Sequence, residues 1–147
     1  MKGPVEIRPM TIADHGALME MMRRTPGVCS RDADGFEPTK RYLDRNPGLS
    51  FVAWAGGRFI GCAMAGHDGR RGYLQHVMVE PEWRRQGIAQ ALVEHCIDAL
   101  RAEGIDKAHL EVMQTNAEGR RFWEKRGWAF RQDLARYSRV LTNNPNA

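Results

Sequence analysis

A basic, glycine-bearing turn in the middle of the chain has the residues that an anion-binding site needs. It follows the apolar run Val77-Met78-Val79, contains Arg84, Arg85 and Gly87, and leads directly into a segment with helical periodicity. At the N-terminus of a helix the first backbone N–H groups lack intrahelical partners and the helix dipole is positive, so anions are attracted. Gly87 has no Cβ to hold a phosphate away, and the arginines add charge and rigid donors. The pattern therefore predicts a phosphate-binding turn.

The segment after this turn is predicted to be a long amphipathic helix that ends at Gly104. Apolar or small residues recur along one face at spacings of three and four: Ile88, Ala91, Leu92, His95, Cys96, Ala99 and Leu100. An ordinary surface helix preceded by two arginines has the same pattern, so the turn alone does not decide the function.

Two motifs in the right order make this chain resemble the GCN5-related N-acetyltransferase superfamily. Residues 84–89 read Arg-Arg-Gln-Gly-Ile-Ala and fit the Arg/Gln-x-x-Gly-x-Gly/Ala signature that binds the pyrophosphate of acetyl-coenzyme A in that superfamily. Residues 122–128 read Phe-Trp-Glu-Lys-Arg-Gly-Trp and are similar to the family's Phe-Tyr-Glu-Lys-x-Gly-Phe at the last helix. The match is strong over residues 57–128 and weak before them, where the superfamily varies with its acceptor.

The resemblance implies a cofactor site in the cleft where the fourth and fifth strands part. The residues that it assigns to acetyl-coenzyme A are Val77, Met78 and Val79 along the pantetheine arm, Arg84, Arg85, Gln86, Gly87, Ile88, Ala89 and Gln90 around the pyrophosphate, and Asn116 and Trp123 further along the arm. It also implies direct attack by an amine, without a covalent enzyme intermediate and without a metal.

The amine must be uncharged to attack, and its basicity decides whether a catalytic base is needed. Deprotonating a lysine-like amine at pH 7 costs about 4.6 kcal/mol, whereas a peptide α-amine costs only about 1–1.4 kcal/mol. Candidate bases are Glu111, which matches the fifth-strand glutamate of ribosomal-protein N-terminal acetyltransferases, and the fourth-strand residues Tyr73 and His76. Each has a structural alternative: Glu111 would pair with an arginine, His76 would be a hydrogen-bonded core residue, and Tyr73 would line the acceptor pocket.

Trp123 departs from the family pattern. Many members have a tyrosine there that resembles a general acid for the departing thiolate, and an indole N–H can only donate a hydrogen bond. A thiol leaves readily without strong acid assistance, so the missing tyrosine does not exclude catalysis. The function that the resemblance implies is acetyl transfer to a primary amine of a small molecule or of a protein. The alternative is a non-catalytic acyl-coenzyme A-binding sensor.

Length and composition agree with one compact domain, which we expect to be cytoplasmic. The chain has 147 residues and a net charge of +4, but its basic residues form no tract, which disfavours nucleic acid as a partner. Its three cysteines lack metal-ligand spacing and indicate reduced thiols and no metal site, and no apolar run is long enough for a signal peptide or a membrane span. We expect a domain over residues 1–141 and a flexible tail over 142–147; dimers are frequent in the superfamily, so a homodimer is possible by analogy.

The order of elements predicts an α+β fold. We expect a mixed, mostly antiparallel sheet of six or seven strands with helices on both faces, and the resemblance implies a splay between strands 4 and 5. The predicted strands cover residues 5–8, 49–55, 58–66, 72–79, 108–113, 128–132 and 136–141; helices begin after Thr11 or Asp14, at Thr39, at Ile88 and after Asn116, and residues 28–38 form a loop over the acceptor site.

Overall fold

The computed structural model describes residues 3–147, so the first two residues of the predicted domain 1–141 lie outside the described part. The chain divides into two compact units. The first ends at Leu110, and the second comprises Glu111–Ala147.

The first unit is built on one five-stranded sheet with the order β1-β2-β3-β4-β5. Its first four strands pair antiparallel with their neighbours, and β5 pairs parallel with β4, which confirms the predicted mixed, mostly antiparallel α+β sheet. The strands are β1 (Glu6–Pro9), β2 (Phe51–Ala55), β3 (Arg58–His67), β4 (Gly72–Val79) and β5 (Ala108–His109). The prediction of six or seven strands was too high for the described residues.

Helices α1 (His15–Arg24), α2 (Phe36–Arg45) and α3 (Ile88–Ala102) belong to the first unit, together with 3₁₀ turns at Ile12–Asp14, Asp32–Asp34 and Pro81–Trp83. The start of α2 was predicted three residues too late, at Thr39. Pro38 misled the prediction, but it lies in the first turn, where a missing N–H costs no helical hydrogen bond. None of the helices within residues 3–147 is long and apolar enough to span a bilayer.

Strand β3 is covered on both faces, as predicted, because nearly all of its residues are buried. On one face, α1 contributes Leu18, Met21 and Met22 to a core cluster that also contains Val52, Cys62 and Met64. On the other face, α3 packs closely at Gly61. A Cβ there would lie 2.9 Å from the carbonyl oxygen of Met78 and 3.3 Å from the Leu92 side chain, so only glycine allows this approach.

Cys62 and Cys96 are buried free thiols, whereas Cys29 is exposed. Burial raises the pKa of both buried thiols to about 12, because desolvation disfavours the thiolate. These two cysteines therefore behave as small core residues.

The second unit has one regular element, α4 (Ala117–Lys125). Its N-cap is Asn116, as predicted, and the Asn116 side chain accepts a hydrogen bond of 2.9 Å from the backbone N–H of Gly119. The predicted strands 128–132 and 136–141 do not form, and β5 is shorter than the predicted 108–113. A strand needs a neighbouring ladder and burial on at least one face, and Tyr137 and Leu141 are largely exposed.

Candidate functional site

An irregularity interrupts β4 where the sequence predicted the cofactor-binding strand. Cys62 lies opposite Met78, but Met64 lies opposite Gln75, so the register shifts and β4 has one residue more than β3 in between. This is the geometry of a β-bulge, which bends a strand and redirects its side chains. His76 lies in the bulge and has a left-handed backbone with φ of 48°.

The edge of β4 beyond Tyr73 is open in the sheet. Strand β5 pairs with β4 only at Gly72 and Tyr73, and the five-stranded sheet of the described residues offers Leu74–Val79 no other strand on that side. The predicted splay between strands 4 and 5 is therefore present. Within the described sheet, the backbone of Val77, Met78 and Val79 therefore has no neighbouring strand on that side.

The turn between β4 and α3 directs several backbone N–H groups outwards. Arg85 and Gly87 both have positive φ, of 61° and 78°, and such alternating conformations form concave anion-binding nests. The first hydrogen bond of α3 runs from the Ala91 N–H to the Gly87 carbonyl, at 3.0 Å, so the preceding helical N–H groups point out of the helix end. A Cβ on Gly87 would meet no atom within 4 Å, which leaves room for a phosphate.

One hydrogen bond and one ion pair fix the start of this turn. The Nε atom of Arg84 donates to the carbonyl oxygen of Val79 at 3.0 Å. The carboxylate of Glu80, only 5% exposed, pairs at 2.8 Å with Arg24 of α1. The pair with Glu80 raises the pKa of Arg24. The turn is thus attached both to the end of β4 and to α1.

His76 is paired with an acidic residue from the loop between α1 and α2. Its Nε2 atom lies 2.8 Å from Oδ1 of Asp34, and both side chains are mostly buried, at 21% and 16% exposure. The other carboxylate oxygen of Asp34 accepts a hydrogen bond of 2.8 Å from the backbone N–H of Arg31. Asp34 has a third contact through its backbone, because its carbonyl oxygen lies 2.9 Å from Nε2 of His15.

The other predicted base on β4, Tyr73, is 42% exposed. Its ring centroid lies 5.7 Å from that of His109. In the second unit, Glu111 forms an ion pair with Arg136, and both side chains are mostly exposed. Trp123 packs against Phe122 and Trp128, with ring centroids 4.9 and 5.4 Å away.

Sequence reasoning missed the contacts that hold the predicted residues in place. The pairing of His76 with Asp34 joins residues 42 positions apart, and no local pattern indicates it. The bulge was also missed; in the structure the alternation of buried and exposed residues in β4 breaks at His76 and Val77. The bond between Arg84 and Val79 had a signal, since an arginine five residues after a strand can reach its last carbonyl group.

Solved acetyltransferase structures share this fold. A PaiA N-acetyltransferase from Thermoplasma acidophilum, in complex with coenzyme A, aligns with a TM-score of 0.73 over 84% of this chain and 89% of that one, at 22% identity. AAC(6')-Iy, in complex with the bisubstrate analogue CoA-S-monomethyl-acetylneamine, aligns with a TM-score of 0.72 over 94% and 99% of the two chains, at 21% identity. Identities this low show the fold alone.

Relatives found by sequence are acetyltransferases as well. An acetyltransferase from Pectobacterium atrosepticum is 39% identical over 77 residues, which make up 52% of this chain and 55% of the relative. The chain therefore spans about half the length of the curated relatives it matches. The profile of the acetyltransferase (GNAT) family matches residues 17–128, which is more than half of the sequence. The chain belongs to the acetyltransferase (GNAT) family.

Proposed function

We propose that this protein transfers an acetyl group from acetyl-coenzyme A to a primary amine. The observation that carries the proposal is the turn between β4 and α3, where Arg85 and Gly87 adopt left-handed conformations and the N-terminus of α3 is open. This arrangement fits a pyrophosphate, because N–H groups, the helix dipole and arginine charge act on the same small volume.

The proposed cofactor contacts follow the chain along the edge of β4 and into α3. Val77, Met78 and Val79 lie beside the open edge, where the pantetheine amides would pair with the backbone as an added strand does. The pyrophosphate contacts would come from Arg84, Arg85, Gln86, Gly87, Ile88, Ala89 and Gln90. Asn116 and Trp123 of the second unit stay predicted contacts of the pantetheine arm.

We propose direct attack of the amine on the thioester, which the family resemblance implies and which the burial of two of the three thiols supports. Acetyl-coenzyme A supplies an activated acyl group with a thiol as leaving group. Both Cys62 and Cys96 are buried, with pKa values raised to about 12, and a buried protonated thiol is a poor nucleophile. Positioning of the two substrates and polarisation of the carbonyl group by a backbone N–H would supply most of the rate enhancement.

Three residues stay candidates for the base that deprotonates the amine. His76 is held by a carboxylate, Tyr73 is accessible at the start of β4, and Glu111 forms an ion pair with Arg136. A base within reach of the amine contributes roughly 10²–10⁴-fold to the rate. The need for one depends on the acceptor, because an α-amine loses its proton more easily than a lysine-like amine.

The class of acceptor follows from fold neighbours only by analogy. One neighbour, AAC(6')-Iy, is an aminoglycoside N-acetyltransferase, and another is Ard1 from Thermoplasma volcanium, with a TM-score of 0.74 at 19% identity. We therefore propose a primary amine as the acceptor, on a small molecule or on a peptide.

The second candidate function is a sensor that binds acyl-coenzyme A without catalysis. Trp123 favours it, since an indole replaces the tyrosine that resembles a general acid in many members. In this structure the Trp123 ring packs between two aromatic neighbours, as a purely structural residue would.

Calorimetric titration with acetyl-coenzyme A, followed by a panel of amines and peptides with thiol detection, tests both functions. Binding with thiol release and an acetylated product by mass spectrometry is the expected result. Binding without release for every acceptor would favour the sensor. Absence of binding would contradict the assignment of residues 84–90.

A further inference from the structure

We infer that Asp34 positions His76 as the proton acceptor for the attacking amine. The inference rests on the proposed function and deepens it, because it selects one base from three candidates. It also gives the loop between α1 and α2 a definite role on the acceptor side of the site.

The hydrogen bond between the two side chains defines which imidazole nitrogen is basic. Nε2 of His76 lies 2.8 Å from Oδ1 of Asp34, and an ionised carboxylate can only accept a hydrogen bond. Nε2 must therefore carry the hydrogen. In the neutral imidazole the lone pair then lies on Nδ1, and no described residue forms a hydrogen bond with that atom. Nδ1 is the atom that can take a proton.

Both partners are held in place by contacts of their own. The second oxygen of Asp34 accepts the N–H of Arg31, and the carbonyl of Asp34 is bonded by His15. The backbone of His76 is held as well, because its carbonyl oxygen accepts a hydrogen bond of 3.1 Å from the thiol of Cys62. A side chain whose orientation is fixed in this way is prepared for catalysis before the substrate arrives.

The backbone of His76 gives an independent reason to assign a function to it. A left-handed conformation at a residue other than glycine costs roughly 1–2 kcal/mol, and such strain often occurs at functional sites. The bulge places this strained residue on the strand that borders the open edge. An ordinary core histidine in a regular strand would need neither the bulge nor the positive φ.

The proposed step transfers the acetyl group to the amine and moves one proton by way of His76. The amine nitrogen forms a bond to the acetyl carbon, the carbon–sulfur bond breaks, and its electron pair leaves with the sulfur. The proton lost by the nitrogen goes to Nδ1 of His76, and the resulting imidazolium is stabilised by Asp34. The imidazolium then returns the proton to the thiolate, which completes an amide and a free thiol.

Kinetics of four variants test the role of Asp34. Asparagine at position 34 can donate its amide N–H to Nε2 and move the imidazole hydrogen to Nδ1, so Asp34→Asn should lower kcat about 100-fold. The KM for acetyl-coenzyme A should change less than about twofold. His76→Gln should lose a similar factor, and the double variant should be no slower than His76→Gln alone, since both changes remove one function. Asp44→Asn, an exposed carboxylate of α2, is the control for charge and should keep full activity.

Nuclear magnetic resonance of histidine-labelled protein provides a readout without any substrate. Long-range ¹H–¹⁵N spectra distinguish the two tautomers, and His76→Gln identifies the signal among the five histidines. The Nε2–H form is expected in the wild type and its loss in Asp34→Asn. An Nδ1–H tautomer in the wild type, or an active wild type with an unchanged kcat in Asp34→Asn, would overturn the inference alone. A folded wild type that acetylates no amine would overturn the proposed function and the inference with it.

Discussion

The Nε atom of Arg84 lies 3.0 Å from the carbonyl oxygen of Val79, so the first arginine of the turn between β4 and α3 is bonded to the end of β4. This contact uses one donor of the guanidinium and orients the rest of it. Arg84 therefore shapes the turn in addition to contributing charge, and the two roles can be separated by substitution.

Arg84→Lys should weaken binding of acetyl-coenzyme A about tenfold although the charge is kept. Lysine lacks the planar fork that can donate to Val79 and to a phosphate at the same time, and tenfold corresponds to about 1.4 kcal/mol. Isothermal titration calorimetry measures this directly. Arg70→Lys, in the exposed β3–β4 hairpin, is the control. Equal affinity for wild type and Arg84→Lys would show that only the charge counts.

Gly87→Asp and Gly87→Asn form a matched pair that tests the phosphate position. Both residues adopt positive φ more readily than most and have almost the same shape, but aspartate places a negative charge at the helix N-terminus beside the expected phosphate. We expect acetyl-coenzyme A to bind Gly87→Asp at least about 30-fold more weakly than Gly87→Asn. Thermal unfolding of both variants controls for damage to α3. Similar affinities in the two variants would move the phosphate away from residue 87.

Arg85→Asn should separate stability from binding. Arg85 has φ of 61°, which asparagine adopts at a lower cost than arginine. The unfolding temperature should stay equal or rise slightly, while affinity for acetyl-coenzyme A should fall about tenfold because one cationic donor is lost. Arg85→Lys should recover most of the affinity. A clear drop in unfolding temperature for Arg85→Asn would contradict the strained conformation.

Arg8→Met should destabilise the first unit, and the loss should be largest at neutral pH. Arg8 bonds both oxygens of Asp14, at 2.8 and 3.0 Å, and the Asp14 side chain is only 3% exposed. Loss of the partner leaves a buried carboxylate, and we expect a cost of about 2 kcal/mol, reduced because Arg8 itself is partly solvated. Urea unfolding measures it. Arg131→Met removes the comparable but exposed pair with Asp133 and should cost much less.

The pH dependence of this variant has a definite sign. Burial raises the pKa of Asp14, but the hydrogen bonds from Arg8 and Thr11 outweigh burial and hold that pKa below its ordinary value of 3.8. The wild type therefore keeps this stabilisation above the ordinary value and loses it as the pH falls through the lower folded value. Without Arg8 the pKa of Asp14 rises and this acid-dependent loss is removed, so the difference in unfolding free energy between the wild type and Arg8→Met should shrink as the pH falls. A difference in unfolding free energy that stays constant as the pH falls would contradict the assignment.

Local patterns predicted the elements that position the site. The bounds of β4 were predicted correctly because alternating residues lie between two turns, and α3 was predicted from its apolar face and its glycine ends. The family resemblance added the prediction that the turn between β4 and α3 binds a pyrophosphate. These features depend on neighbours in sequence, and for that reason one sequence was sufficient.

Features that depend on distant partners could not be predicted. The approach of Asp34 to His76 joins a loop to a bulged strand, and alternation alone cannot reveal a bulge. The strands expected after Trp128 had suitable residues, but a strand forms only where another strand supplies its hydrogen bonds. Strand β5 ends after His109, where its pairing with β4 stops, and no local pattern in the sequence indicated that position.

The unequal burial of the three thiols makes the protein suitable for site-specific labelling. Cys62 and Cys96 are buried with pKa values raised to about 12, and thiol-directed reagents react with the thiolate. A maleimide fluorophore should therefore attach to Cys29 alone in the folded protein. Because Cys29 precedes the turn that contains Asp34, the label would lie close in the chain to the residue proposed to position His76.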